Sequence, residues 1–241
     1  MAKPPPRPGQ AKSLPLHQAV ARDLGIAILS GDYLPESGWG GEIEHAAALN
    51  VSRTAYREAM RILTAKGMLE SRPKVGTRIT PRHRWNLLDA EVLEWMFAGR
   101  PDENFIRDLF ELRGAIEPAA ASLAAKRRTY EHLATMNRAL EGMRIHGLAT
   151  EEGRMADQMF HRAILEAADN QALATLASSI AAAVTWTTSF KQRHQGLPRD
   201  SLPDHENIFK AIEAGSSRRA GQAMRDLLLL ALKDMGLTPR A

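Results

Sequence analysis

The chain has 241 residues, 44% of them hydrophobic and 25% charged, and a formal net charge of +4. Such a composition suits a globular protein of one large or two small domains, not a fibrous or wholly disordered chain. It contains no cysteine, which excludes disulfides and thiolate metal sites and leaves His, Asp, Glu and water for any cation.

The first residues, "MAKPPPRPGQAKS", read as a disordered, proline-rich basic arm over 1–13. They have no apolar core of a secretory signal. The apolar stretches of the chain are too short to span a bilayer, so no membrane partner is expected and a cytoplasmic location is the simplest reading. Charge is unevenly spread. Residues 1–85 carry 13 Lys and Arg against 7 Asp and Glu, whereas residues 86–241 carry 19 against 21. A basic first part joined to a near-neutral larger part predicts two domains, the first suited to a polyanion.

Residues 16–30 place Ala19, Val20, Leu24, Ile28 and Leu29 on one helical stripe. "SGDYLPESGWGG" breaks that helix. A short helix is expected from Glu42 to Leu49, followed by a turn at Asn50, with Val51 tucked into the core. Ser52 is placed to cap a second helix, "SRTAYREAMRILTAKG", which Gly67 ends. "MLESRPKVGTRIT" then predicts a small β-hairpin.

Helix, helix, turn, helix and hairpin make a winged helix-turn-helix over 14–81. Arg53 and Arg57, four residues apart, share a face at the start of the second helix. That end of a recognition helix reaches base edges in the major groove, where Arg pairs bidentately with guanine. Ser52 and Thr54 are candidates for phosphate or base. Arg72, Lys74 and Arg78, with Gly76 in the wing, would meet the DNA backbone. Tyr56, Met60 and Leu63 fit the inner face. The bland alternative is a solvated basic face without a target.

"VSRTAYREAMRILTAKGMLE" followed by "VGTRI" resembles the DNA-binding head of the GntR family of bacterial transcription regulators. The resemblance implies that Arg53 and Arg57 occupy DNA-contacting positions. It departs from the family where a Leu-Pro-Ser/Ala-Glu stretch is usual, since this chain has Trp39-Gly40-Gly41-Glu42. Some members carry an arginine directly after that Glu, and this chain has Ile43. The first helix of the pair is therefore expected to contribute less to base reading.

"PRHR" reads as an exposed basic linker, assigned to 82–86. Leu87, Leu88, Val92, Leu93, Trp95 and Met96 suit a helix packed between two domains. Helical periods then run at about 103–127, 130–146, 151–168, 171–192, 203–214 and 216–235. They predict an all-α antiparallel bundle over 87–237, with a kink at Pro118.

Within that bundle, Asp157 and His161 share a helix face, and His205 opens a later helix. A carboxylate and two imidazoles around one cavity would suit Zn²⁺, Ni²⁺ or Mn²⁺. Spacing alone supports a hydrogen-bonded polar pair equally well. Arg113 is suited to clamp a carboxylate, or else simply pairs with Glu117 at i+4. Residues of "TWTTS" would offer hydroxyls, and Trp186 a flat face for a sugar-like chain.

"ELRGAIEPAAASLAA", "DQMFHRAILEAADN" and "DHENIFKAIEAG…RRAGQAM" resemble the ligand-binding domain of the FadR branch of GntR regulators. "WNLLDAEVLEWMF" is similar to the segment after the wing in D-galactonate-responsive repressors. The resemblance implies a divalent metal on Asp157, His161 and His205, and an effector near Arg113. A fourth ligand of that branch, a His, is replaced here by Leu227. It implies a homodimeric repressor that reads a palindromic double-stranded operator and is released by a small carboxylate such as a sugar acid. Two other readings are a metal-dependent enzyme on the helical domain, and a DNA-binding protein with no effector.

Overall fold

The computed structural model describes residues 14–34, 42–72, 76–99, 101–194 and 199–240. Its contacts divide the chain into two units, Met1–Leu87 and Leu88–Ala241.

The first unit opens with α1 (Leu16–Leu29), which buries Val20, Ala21, Leu24, Gly25 and Ile28. That spacing is one helical face. Ala19 and Leu29 flank it and stay partly exposed. Next come α2 (Glu42–Ala48) and α3 (Arg53–Ala65). Between them Asn50 turns the chain at φ 52°, a left-handed conformation that Asn tolerates. Val51 is only half-buried. Ser52 caps α3 by accepting from the Ala55 N–H at 3.1 Å. α3 packs on α1 and buries Tyr56, Ala59 and Leu63, while Met60 is half-buried.

Gly67 closes α3 at φ 73°, and the Met68 N–H returns to the Leu63 carbonyl at 3.0 Å. A Cβ at Gly67 would sit 2.2 Å from the Arg84 carbonyl oxygen, so position 67 needs glycine twice over. The wing is β1 (Leu69–Arg72) paired antiparallel with β2 (Gly76–Ile79), in the register Leu69↔Ile79 to Arg72↔Gly76.

Residues 82–86, expected as an exposed basic linker, are exposed at Arg82, His83, Arg84 and Asn86 but are tied to this unit. Arg82–Arg84 form one 3₁₀ turn. Trp85 is buried, and its indole N–H donates to the Thr80 carbonyl at 2.9 Å. The Asn86 N–H donates to the Lys66 carbonyl at 2.9 Å. A buried aromatic with a satisfied polar end overrides the basic, loop-like look of "PRHR".

The second unit is all helix among the described residues. Its elements are α4 (Ala90–Ala98), α5 (Glu103–Arg127), α6 (Tyr130–His146), α7 (Glu151–Ala167), α8 (Gln171–Ala174), α9 (Ala177–His194), α10 (Leu202–Glu213) and α11 (Ser217–Lys233). Side-chain caps start four of the long ones: Asp89, Asp102, Thr129 and Thr150 each accept from backbone N–H groups one turn in. α5 runs through Pro118 without interruption. α4, apolar on most faces, packs on α9, with Phe97 edge-on to Phe190.

The helix expected over 171–192 is two helices. The Thr175 hydroxyl donates to the Ala172 carbonyl at 2.7 Å, and the Leu176 N–H takes the Leu173 carbonyl at 3.0 Å. These local bonds compete with the helical ladder and end α8 after one turn.

α5 carries Ala120, Ala121, Ala124 and Ala125, all fully buried, and α11 lies against that helix. The approach is close enough that a Cβ on Gly221 would meet the Ser122 hydroxyl at 2.3 Å. α6 packs on α7 across the four-residue connection 147–150, so the two run antiparallel. Phe160, Ile164, Met136, Ile208 and Met224 fill the space between these helices. Burial of each such side chain stabilises by about 1.5–3 kcal/mol. Polar residues within this core therefore need a reason, and they cluster on the facing sides of α5, α7, α9 and α10.

Candidate functional site

Two groups of residues carry candidate chemistry, one in each unit. In the first unit, Arg53, Thr54 and Arg57 are exposed along the start of α3. Glu42 of α2 lies between the two arginines, 3.5 Å from the Arg53 Nε and 3.4 Å from the Arg57 Nε. Both arginine side chains remain about two-thirds exposed, so these pairs orient the guanidinium groups without sequestering them. The Ser52 oxygen accepts in its cap, which leaves its O–H as a donor.

On the wing, Gly76 has φ 90° and stands opposite Arg72. Lys74 lies outside the described residues. Arg78, expected to meet the DNA backbone, is engaged elsewhere. It stands opposite Glu70 across the hairpin and donates to that carboxylate, whose other oxygen accepts from Arg84 at 2.8 Å. Cross-strand register, not visible in charge counting, decided this.

In the second unit, one cavity is lined by Arg113, Asp157, His161, Thr187, Thr188, Lys191, Ser201, His205 and Leu227, among others. Asp157, His161 and His205 are all buried, and each offers a ligand atom within 4.8 Å of the others. The His205 Nε2 lies 3.0 Å from Asp157 Oδ1, and the His161 Nε2 lies 3.5 Å from the same oxygen. Asp157 Oδ2 accepts from the Thr188 hydroxyl at 3.1 Å.

The far nitrogen of each imidazole is also held. His205 Nδ1 lies 2.7 Å from the Ser201 carbonyl, which can only accept, so Nδ1 carries the proton. His161 Nδ1 is hydrogen-bonded to Glu117 Oε2. The other Glu117 oxygen accepts from the Arg113 Nε at 2.6 Å, and Arg113 Nη1 reaches the Thr187 hydroxyl at 3.3 Å. Arg113 makes the expected i+4 pair with Glu117 and also lines the cavity.

Burial raises the Glu117 carboxyl, but the Arg113 guanidinium and His161 outweigh it and hold the group at about 2. Burial likewise disfavours ionised Asp157, yet hydrogen bonds from His161 and His205 keep it well below the usual carboxylate range. Burial disfavours charged His161, but Glu117 and Asp157 on either side push it up to about 9. The two flanking carboxylates thus favour the protonated form of the His161 imidazole.

This donor set fits a divalent cation. Two imidazole Nε2 atoms and a carboxylate oxygen converge, each imidazole is fixed from behind, and Leu227 supplies an apolar wall.

Trp186 is not among the described residues that line the cavity. Helical pitch explains the correction. Val184, Thr187, Thr188 and Lys191 recur at the spacing of one α9 face, and Trp186 falls off that stripe. Sequence reading missed Lys191, a buried lysine whose ammonium lies 3.5 Å from Asp234 Oδ2. Its position seven residues after Val184 was the available signal.

Residues 16–79 match the family described as bacterial regulatory proteins, gntR family, and residues 108–229 match the FCD domain. The chain belongs to the GntR family. It is 33% identical over 204 residues to the galactonate operon transcriptional repressor of Escherichia coli K12, covering 83% of this chain and 88% of that one. It is 37% identical over 165 residues to the uncharacterised HTH-type transcriptional regulator YieP of the same organism, covering 68% and 72%. Its fold is similar to a solved structure of Lar, which controls expression of the Listeria monocytogenes agr system, with TM-score 0.65, 17% identity and coverage of 95% and 100%. GntR proteins with an FCD domain are ligand-responsive, DNA-binding transcription regulators, not enzymes.

Proposed function

We propose that this GntR regulator is a cytoplasmic homodimeric repressor, released from a palindromic operator when a small hydroxy acid enters the Asp157–His161–His205 cavity. One observation carries the reading: three buried side chains of metal-ligand type line the same cavity as a buried arginine. The names of its relatives support the ligand class, since one represses a galactonate operon.

Asp157, His161 and His205 would hold the divalent cation, whose chemistry here is to accept oxygen ligands rather than to activate water. A carboxylate with a neighbouring hydroxyl suits a site that Leu227 leaves short of protein ligands. Arg113 would take a carboxylate oxygen, and Thr187 and Thr188 would meet hydroxyls. Arg53, Arg57, Thr54 and Ser52 would read the operator, with Arg72, Lys74 and Gly76 of the wing along its backbone. An acid that binds one arrangement of the dimer better than another shifts the pair of heads away from the spacing the operator requires.

The test is calorimetry on the full chain, first with Zn²⁺ or Mn²⁺ after chelator treatment, then with a panel of sugar acids with and without the metal. The reading expects metal-dependent binding of at least one acid. No metal binding by the parent protein would overturn it.

A further inference from the structure

Glu117 takes no part in the ligand triad, yet it touches both ends of the site. Its exposure is 1%, that of Arg113 4% and that of His161 2%, so none of the three exchanges its partners freely with water. Arg113 and Glu117 lie one turn apart on α5, and His161 comes from α7. The carboxylate is divided between them, one oxygen to Arg113 and the other to His161 Nδ1.

This division has a consequence for the imidazole. A histidine can offer a cation either ring nitrogen, and the hydrogen bond on one decides which is left for the other. Glu117 occupies Nδ1. Nε2 is thereby turned toward Asp157 and the Nε2 of His205. The two imidazoles are held by different acceptors: a neutral carbonyl at His205 and a carboxylate at His161. A carboxylate behind the ring makes it the more basic ligand. Arg113 keeps that carboxylate ionised inside the core.

We infer that Glu117 is the positioning residue of this site: it fixes the tautomer and ring orientation of His161 and so sets the affinity for the divalent cation. The inference rests on the metal reading above. The competing account is that Glu117 serves only as the buried counter-charge of Arg113.

Two measurements on the full-length protein separate these. The first is Zn²⁺ calorimetry after chelator treatment, comparing the parent with Glu117→Gln, which keeps the shape and removes the charge. Zn²⁺ affinity should fall about 10–100-fold, as for other partners of ligating histidines. An affinity within about two-fold of the parent in a folded Glu117→Gln protein overturns the inference and leaves the metal reading standing. No Zn²⁺ binding by the parent overturns both.

The second measurement needs no variant. Long-range ¹H–¹⁵N correlation of the histidine rings in the Zn²⁺-loaded parent should show His161 protonated at Nδ1 and ligating through Nε2. Ligation through Nδ1 would overturn the role of Glu117 even where Glu117→Gln fails to fold.

Discussion

His205 Nε2 and Asp157 Oδ1 lie 3.0 Å apart, joining α10 to α7 through two buried side chains. A cation placed there would take both atoms as ligands, so the contact that braces the bundle is also the one a metal would replace. His161→Ala should abolish metal-dependent thermal stabilisation and relief of repression while leaving operator binding nearly intact. Gel-shift titration with and without a sugar acid reads this directly, and normal relief in His161→Ala would return the pair to a structural role.

Leu227 is buried in the wall of the same cavity. Leu227→His should add a fourth protein ligand and tighten Zn²⁺ binding by more than ten-fold. It should also weaken the dependence of acid binding on metal, because the protein would occupy the position otherwise left to an effector oxygen. Calorimetry in both orders of addition checks the two effects separately.

The metal-free protein should lose stability as pH rises from about 6.5 to 9. Glu117 and Asp157 raise His161 in the folded chain from the ordinary imidazole value of 6.5 to about 9, so its contribution is full below 6.5 and is lost through 9. Glu117 is lowered from 4.5 to about 2, so its contribution is present above 4.5 and is lost as pH falls toward 2. The His161 loss is roughly 2–4 kcal/mol, from about 1.4 kcal/mol per unit. Melting in EDTA across pH 6–9.5 measures it. Since the metal displaces the same proton, the increment in Tm from Zn²⁺ should grow over that window. A flat EDTA profile would contradict the charged His161.

Arg53→Ala or Arg57→Ala should each cost about 1–3 kcal/mol of specific operator binding and leave the helical unit folded. Glu42→Gln removes the carboxylate that lies within 3.5 Å of both. It should strengthen binding to unrelated DNA and narrow the gap between specific and non-specific affinity. Footprints unchanged in both arginine variants would mean that α3 is not the recognition helix.

Gly67→Ala should destabilise the first unit by about 2 kcal/mol or more. It combines a φ of 73° with a backbone oxygen 2.2 Å from the new Cβ. Denaturant unfolding of the variant reads this, and a loss under about 0.5 kcal/mol would mean that the Arg84 backbone can yield.

Much of the fold could be read from periodicity and punctuation. The Ser52 cap, the Gly67 stop and the bounds of α5, α6 and α7 all follow local rules that the sequence states openly. What it hid was tertiary. Trp85 is anchored through Thr80, and nothing in "PRHRW" announces that partner. Arg78 is spent on Glu70 because of hairpin register. The break after α8 accompanies local bonds at Thr175 and Leu176 that replace the helical ladder. In the cavity, the spacing of Asp157 and His161 was legible and so was the pairing of Arg113 with Glu117. The join between those two pairs was not, because it runs from α5 to α7. Trp186 stood out by residue type, whereas the pitch of α9 favoured Thr187, Thr188 and Lys191.

The central claim is that occupancy of the Asp157–His161–His205 site controls DNA binding by the heads. Fluorescence anisotropy on an operator selected from random-sequence DNA tests it, using the full-length parent and His161→Ala with a panel of sugar acids that includes D-galactonate. The account predicts that at least one acid weakens operator binding by ten-fold or more in the Zn²⁺-loaded parent. The effect should vanish after chelation and in His161→Ala. Equal release in parent and His161→Ala, or an operator affinity that no acid changes in the Zn²⁺-loaded parent, would contradict it.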